Sequence, residues 1–391
     1  MLKIETLQAK VRDFITGVRR YHSIRKQTVD HQDPDIEKLK TEFQPLIESV
    51  QDDIESFKYI RLESKNIPWT TTNISVCSGQ EVSVLATGRL WRSRIRDLWI
   101  APQLGLWCRL GENGIVFNST RNTNTFTAQS SGNLYLATQF PGQFADPTGR
   151  IQPPLQVYNK AEGGFSVLVI VWKGRSNPSL QKMIAKKDPF GLLSMELDRQ
   201  ANVIEKPKEW KHLWFVGVSD IFSEEICKDE KCIHCRTKGN VGLLQKDVVH
   251  TLTPNTELHW DWIVAELPSR LREDTSASHD YLSIAVEFEN GRDITYYWSY
   301  ELPKDYGYWC PLPTWYDREF HIVVRSGLNQ IDHWLNEKRN LYEDYRKYIG
   351  SPPQKIVRIW LIAGSRWQRI KGEMTVKSIK LVSSGEVTIV I

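Results

Sequence analysis

The stretch Tyr281–Leu302, YLSIAVEFENGRDITYYWSYEL, decides the class of this chain. Two runs rich in aliphatic, β-branched and aromatic residues alternate in character on either side of Asn290-Gly291. Asn-Gly is a two-residue hairpin signal, because both turn positions need a positive φ. The stretch therefore reads as a β-hairpin. The same texture continues around it. ELHWDWIVAELP (257–268) alternates strongly, and FHIVVRSG (320–327) and VRIWLIAGS (357–365) add strands. GEMTVKSIKLVSSG (372–385) reads as a closing strand. One helix interrupts, over NQIDHWLNEKRNLYEDYRKYIG (329–350). Ile331, Trp334, Leu335, Leu341 and Tyr345 give it an apolar face, and Gly350 ends it.

Upstream the pattern is again β. QEVSVLATGRLW (80–91), LGLWCRLG (104–111), GNLYLAT (132–138) and GGFSVLVIVW (163–172) are short apolar runs punctuated by Gly, Asn, Ser and Pro. Turn signals about every ten residues suggest a sandwich or jelly roll. The first 60 residues are different. Ile4, Leu7, Val11, Phe14, Val18 and Tyr21 repeat at helical spacing, and Ile36, Leu39, Phe43, Leu46 and Val50 repeat it, with Ile54 and Phe57 close behind. This predicts a helical hairpin, capped at Asp33-Pro34 and kinked at Pro45. Its stripes should pack either on the body of the protein or on a second copy, the latter making a homo-oligomer through residues 1–60. At 391 residues several domains are expected. The reading is mainly β: a helical hairpin (1–60), a lectin-like β-sandwich (61–175), and a jelly-roll domain (176–391). The last begins with a linker-like stretch, KGRSNPSLQKMIAKKDPFG, and carries a Cys-rich insertion.

Composition limits the function classes. A net charge of +4 is small for this length and gives no reason to expect nucleic acid or an anionic membrane as partner. No apolar run approaches the roughly 18–20 residues that cross a bilayer. The start, MLKIETLQAKVRDF, lacks the apolar core of a secretory signal. With six cysteines, the expectation is a cytoplasmic protein with reduced thiols. Fifteen tryptophans are many. They are core residues or flat platforms for sugar rings and other ligands. Nucleotide-binding glycine loops, G-x-S-x-G and H-E-x-x-H are absent, which weakens cofactor and common hydrolase readings.

Two resemblances follow from these residues. PWTTTNISVCSGQEVSVLATG, GLWCRLGENG, GNLYLATQFPGQFADPTG and GGFSVLVIVW, in that order over 67–172, resemble the bacterial galactose-binding PA-I type lectins. That resemblance implies sugar binding through a calcium ion in the loop after GNLYLAT. Here Thr138-Gln139 and Asp146-Pro147 stand where the family places carboxylate- and amide-bearing pairs, so calcium is not expected. Gln139, Asp146 and Arg150, with stacking on Trp91 or Trp99, are instead expected to hold a hydroxyl-rich ligand. Arg92 belongs to the neighbouring RLWRSRIRDLWIAPQ (89–103). Arginine beside an aromatic there suits an anionic ligand or a wet strand face. Residues 257–382 resemble the uncharacterised DUF3047 family, on LHWDWIVAELP, VVRSG and HWLNEKRNLYEDYRKYIGSPPQKIVRIWL. The terminal strand looks like that of galactose-binding jelly rolls.

Candidate chemistry in the last domain rests on His259, Asp261, Asp280, Glu287, Glu289, Arg325 and Glu337. Alternation puts Trp260, Trp262 and Val264 in the core and His259 and Asp261 on the opposite face. Glu287 and Glu289 share a face with Tyr281, Ser283 and Ala285. They are either an acid–base pair for a glycosidic bond or a solvated outer face. Arg325 precedes a Gly turn and suits an anion clamp or a salt bridge. CKDEKCIHC places Cys227, Cys232, His234 and Cys235 in nine residues. That spacing is close to that of zinc ligands and leaves three readings open: a structural zinc clip, a disulfide, or free thiols in a mobile loop. The function expected is recognition of a glycan or other hydroxyl-rich ligand. The alternatives are an enzyme acting on a polysaccharide or small hydrophobic metabolite in the cleft of the C-terminal jelly-roll domain, and an assembly protein oligomerised by its hairpin.

Overall fold

The computed structural model describes residues 2–25, 35–65, 69–94, 96–118, 121–140, 144–151 and 161–391, without the side chains of 2–9 and 24–25. Asp33, Pro34 and Ile95, and the side chains of Ile4 and Leu7, lie outside the described residues. The protein is mainly β, with helices at its N-terminus followed by antiparallel sheets. It forms two compact units. One is residues 28–203 with 214–218, the sandwich unit. The other is residues 1–27, 204–213 and 219–391, the C-terminal unit. The two N-terminal helices therefore belong to different units. No described helix is long and apolar enough to cross a membrane.

In the sandwich unit α2 (Ile36–Glu48) is capped by Asp35, whose carboxylate accepts from the Lys38 amide at 2.8 Å, and it runs through Pro45. Ile54 and Phe57 are not helical; they open β1 (Ile54–Glu63). There follow β2 (Thr70–Val76), β3 (Glu81–Ser93), β4 (Leu98–Ile100), β5 (Leu106–Leu110), β6 (Thr123–Thr127), β7 (Gly132–Thr138) and β8 (Glu162–Trp172). One sheet runs β1-β8-β3-β4, with β6 also on β3; the other runs β2-β7-β5. The linker-like stretch carries α3 (Ser176–Ile184), and α4 (Leu192–Ala201) follows directly after it. Leu180 and Met183 of α3 and Leu192 and Leu193 of α4 share a core with Leu39, Phe43, Leu46 and Ile47 of α2 and with Leu168, Ile170 and Trp172 of β8. Polar residues between those apolar positions give the stretch its linker-like look.

The C-terminal unit contains α1 (Leu2–Arg25), β9 (Lys211–His212), β10 (Phe222–Cys227), β11 (Glu230–Lys238), β12 (Val241–Thr251), β13 (Glu257–Glu266), β14 (Tyr281–Phe288), β15 (Asp293–Ser299), β16 (Gly307–Trp309), β17 (Glu319–Ser326), β18 (Leu335–Asn340), α5 (Leu341–Tyr348), β19 (Lys355–Gly364), β20 (Lys371–Ser383) and β21 (Glu386–Ile389). One sheet runs β10-β11-β20-β13-β18, with β21 on β20. The other runs β16-β17-β15-β14-β19-β12-β9. All described pairings are antiparallel except β15–β17. The sheets pack face to face through alternating residues. Trp260 meets Tyr296 at 5.7 Å and Trp262 meets Trp298 at 5.9 Å between ring centroids. The alternation along β13 is thus as expected, with Trp260, Trp262 and Val264 fully buried.

Three local expectations change. The β14–β15 turn is a three-residue turn, not a two-residue one: Phe288 bonds Arg292, and Gly291 takes the left-handed position at φ +76°. The helix expected over 329–350 forms only from Leu341, because Leu335–Asn340 pairs as a strand with β13. Backbone ladder bonds to a formed sheet outweigh the local helical preference of NEKRN. In α1 the expected apolar stripe faces outward, with Val11, Phe14 and Val18 between 41% and 63% exposed. The buried side is Thr16, Gly17 and Arg20. Arg20 donates to the Trp367 carbonyl at 2.8 Å and 3.1 Å, and Arg12 pairs with Asp274 at 3.4 Å.

Candidate functional site

The loop after β7 is clamped. The carbonyls of Pro147, Thr148 and Gly149 accept from the Val116 amide at 2.8 Å, Arg109 at 2.9 Å and the Trp69 indole at 3.0 Å. A side chain at Gly149, φ +80°, would strike Trp69 and Val116. Phe144 stacks on Trp69 and meets Trp107 edge-on. Asp146 Oδ1 accepts from the amide and hydroxyl of Thr148, and Oδ2 from Arg150 at 3.0 Å. The Thr148 and Arg150 bonds hold its carboxyl down to about 2. Gln139 is buried at the end of β7, its amide bonded to the Gly105 carbonyl. Asp146 and Arg150 thus meet each other in a turn, and Gln139 lies inside.

Trp91 and Trp99 meet directly. They face each other across β3 and β4, with ring centroids 6.2 Å apart. The Arg89 guanidinium lies 4.6 Å from the Trp99 ring and 5.7 Å from Trp91, and that of Arg94 lies 4.8 Å from Trp91. Trp99 is half-buried, and its indole N–H donates to Asp97 at 3.0 Å. Arg92 and Arg96 of the same segment are exposed, and Arg94 pairs with Glu162 at 2.7 Å. β4 is an edge of its sheet. The arrangement is a cationic aromatic rim.

The catalytic candidates are dispersed over two sheets and tied into structural bonds. His259 Nε2 lies 2.9 Å from Glu257, and Asp261 accepts from Asn336 at 2.7 Å, both on the outer side of β13. Glu287, expected on the solvated face, is only 9% exposed, and it accepts from Arg358 and the Trp360 indole at 3.0 Å. Glu289 lies in the turn and accepts from the Gln354 amide. Asp280 accepts from the Trp367 and Gln368 amides; burial pushes its carboxyl up to about 6. Arg325 donates to Glu337 at 2.6 Å, on β18 rather than on a helix.

The zinc clip at 227–235 is corrected. Cys227 and Cys232 form a disulfide across the β10–β11 hairpin, and Cys235 is a buried free thiol. Cys232 and Cys235 are three residues apart on one strand, so they point to opposite faces and no single ion can reach both.

A cluster outside every sequence expectation lies on the outer face of the β14–β15–β17 sheet. That face is buried: Tyr281, Ser283, Thr295, Tyr297 and Ser299 are each at most 6% exposed. The segment 269–280 contributes Ser269, Glu273, Asp274, Thr275, Ser278 and His279, all buried with it. Four donors gather there. His279 Nε2 lies 3.4 Å from Cys310 Sγ, and His321 Nε2 lies 3.4 Å from Glu319 Oε1. His279 Nδ1 contacts the Glu273 carbonyl at 2.6 Å, and Glu319 Oε1 accepts from Tyr281 at 2.9 Å and Thr295 at 3.2 Å. Burial, then the His321 charge, pushes His279 down to about 3. Asp293, bonded to the same Thr295 hydroxyl, is held well above the carboxylate range by burial and by the Glu319 charge. Burial pushes Glu273 up to about 8. The one local signal for this cluster is Glu319-Phe320-His321, two polar residues on the same face of an apolar strand.

A family model described as "Protein of unknown function (DUF3047)" matches residues 208–380, reaching upstream of the resemblance read from sequence to include the disulfide hairpin. No curated protein matches the sequence. Among solved structures, the N-terminal domain of EclA, a PllA-like lectin, is 18% identical; the match covers 31% of this chain and 98% of that one, with a TM-score of 0.23. The xyloglucanase domain of NopAA, a type three effector from Sinorhizobium fredii solved with cellobiose, is 7% identical. That match covers 47% of this chain and 94% of the other, with a TM-score of 0.26.

Proposed function

We propose that the chain is a binding protein for a hydroxyl-rich ligand carrying negative charge, an acidic glycan being the chemistry that fits. The observation that carries this reading is the Trp91–Trp99 pair with the Arg89 and Arg94 guanidiniums over its rings at a sheet edge. An indole face receives the C–H side of a sugar ring. A guanidinium donates two parallel N–H bonds to a carboxylate, a sulfate or vicinal hydroxyls. The clamped loop after β7 contributes rigidity to the sandwich, and its carbonyls are already bonded within the protein.

The test is calorimetry of the full chain with neutral and with uronate- or sulfate-bearing oligosaccharides, in chelator and in millimolar calcium. A single shallow site of this kind gives millimolar to micromolar affinity, roughly 4–8 kcal/mol. The acidic ligands bind, without calcium, and Trp99→Ala or Arg94→Ala weakens them about tenfold. Equal affinity for neutral sugars, or binding untouched by both substitutions, removes this rim as the site.

A further inference from the structure

His279, Cys310, Glu319 and His321 are all buried, and their four donor atoms lie within 4.8 Å of one another. We propose that they bind one divalent transition-metal ion of the zinc class as a closed structural site in the C-terminal unit. None of these residues belongs to the Trp–Arg rim, so the two readings stand or fall separately.

The donor set fits. Two imidazoles, a thiolate and a carboxylate are the ligand types zinc takes, and four protein ligands complete a tetrahedron. Metal–ligand bonds of roughly 2.0–2.3 Å place tetrahedral donors roughly 3.3–3.8 Å apart. The Cys310 Sγ–His279 Nε2 and His321 Nε2–Glu319 Oε1 separations are both 3.4 Å. Small adjustments of the remaining side chains close the set.

The backbone supplies the convergence. Glu319 and His321 are two apart on β17 and share a face. Cys310 follows β16, and its amide bonds the Glu319 carbonyl at 2.9 Å. His279 enters β14 two residues before Tyr281. Outer partners orient the ligands as metal sites require. A His279 Nδ1–H donated to the Glu273 carbonyl leaves Nε2 with its lone pair toward Cys310. The hydroxyls of Tyr281 and Thr295 fix the Glu319 carboxylate. Tyr308 stacks on the His321 ring, centroids 5.0 Å apart and 10° from parallel.

A second observation points independently to a missing ligand. His321 is fully buried, yet neither ring nitrogen is in a well-formed hydrogen bond: Nδ1 meets no acceptor or donor, and Nε2 has only the Glu319 carboxylate of the same set, at 3.4 Å. Buried imidazoles ordinarily find partners. A metal bond at Nε2 supplies one, and the buried tyrosine rings around the set leave the site closed.

The test uses the full chain purified without chelator. Elemental analysis should give about one zinc per chain. The zinc is then exchanged for Co(II), which should give visible d–d bands of tetrahedral strength and a near-ultraviolet thiolate-to-cobalt band. Cys310→Ser should abolish the thiolate band, and His321→Gln should weaken metal affinity at least tenfold. Cys77→Ser, at an exposed thiol, should leave both bands unchanged. Near-ultraviolet circular dichroism checks that each variant folds. If a variant does not fold, the wild-type cobalt spectrum alone decides. Overturning results are a chain that holds no metal and takes up no Co(II), cobalt bound without a thiolate band, or a Cys310→Ser protein that keeps the band.

Discussion

Arg325 and Glu337 looked like catalytic candidates and sit in the structure as an ion pair joining the two sheets of the C-terminal unit, which gives a sharp test. Arg325→Ala leaves the Glu337 carboxylate, whose side chain is 8% exposed, with the Trp262 indole N–H still donating to it at 3.2 Å. Losing a partner from a buried ion pair costs about 3–5 kcal/mol, and a charge-assisted hydrogen bond contributes roughly 1.5–3 kcal/mol. The Arg325 side chain is 23% exposed. Water therefore reaches part of the vacated site, and a loss of about 2–3 kcal/mol is expected. With a urea m-value of about 2–3 kcal/mol/M, the midpoint falls by roughly 1 M.

Glu337→Gln keeps an acceptor for the Trp262 indole and removes the charge. Placed on Arg325→Ala it should restore stability, because most of the single-variant loss is the orphaned carboxylate. The expected coupling is about 1–2 kcal/mol. Urea unfolding followed by tryptophan fluorescence reads all four corners of the cycle, and the shift should appear in one transition if the units unfold separately. An unchanged midpoint in Arg325→Ala, or strict additivity in the double variant, refutes a structural role and returns the pair to the list of functional groups.

Phe43→Ala on α2 should lower the stability of the sandwich unit by about 3–5 kcal/mol, seen as a lower thermal midpoint, since Phe43 is fully buried among α2, α3, α4 and β8. Glu373 is held down to about 2: burial works against this, but Lys371 and Arg236 more than offset it. Its folded value lies below the ordinary one, so its stabilisation is present above about pH 4.5 and is lost as pH falls toward 2; Glu373→Gln should flatten the acid limb of the stability curve. The Cys227–Cys232 bridge closes a loop with a sequence separation of 5, so reducing it should lower stability by at most about 2 kcal/mol; thiol titration should find four free cysteines before reduction and six after. If α1 mediates contact between copies through its exposed stripe, Phe14→Lys should lower the sedimenting mass of the wild-type oligomer. A monomeric wild-type chain would dismiss that surface.

Strand identity was legible wherever one face of a strand meets the core and the other meets water. Along β13 the alternation of Trp260, Trp262 and Val264 with His259 and Asp261 is that case. Boundaries failed where tertiary pairing competes with local preference. NEKRN reads as helix, yet β13 takes it as a strand, and the helix starts only after Asn340, whose side chain accepts from the Glu343 amide at 2.8 Å. That Asn-x-x-Glu spacing is a capping signal present in the sequence. Ile54 and Phe57 continued the helical spacing of α2 by coincidence, because β1 also needs apolar residues along its length.

The buried polar face of β14, β15 and β17 was harder to read for a physical reason. Tyr281, Ser283 and Glu287 look like a solvated stripe, because alternation reports the chemistry of a face and not what covers it. The cover is residues 269–280, a segment with no period of its own, rich in serine, threonine and acids that bond one another and the sheet. A stripe of polar residues under such a segment becomes a buried polar network, and networks of this kind need every donor and acceptor matched. Where one imidazole remains unmatched, as at His321, the sequence offers only Glu-x-His on a strand. The other two donors, His279 and Cys310, arrive from 42 and 11 residues away along the chain and are joined to it by the register of β14, β16 and β17. A ligand set assembled by register leaves no spacing motif. The compact Cys-rich run that does look like a metal motif puts Cys232 and Cys235 on opposite faces of β11 and closes a disulfide from Cys232 to Cys227 of β10 instead.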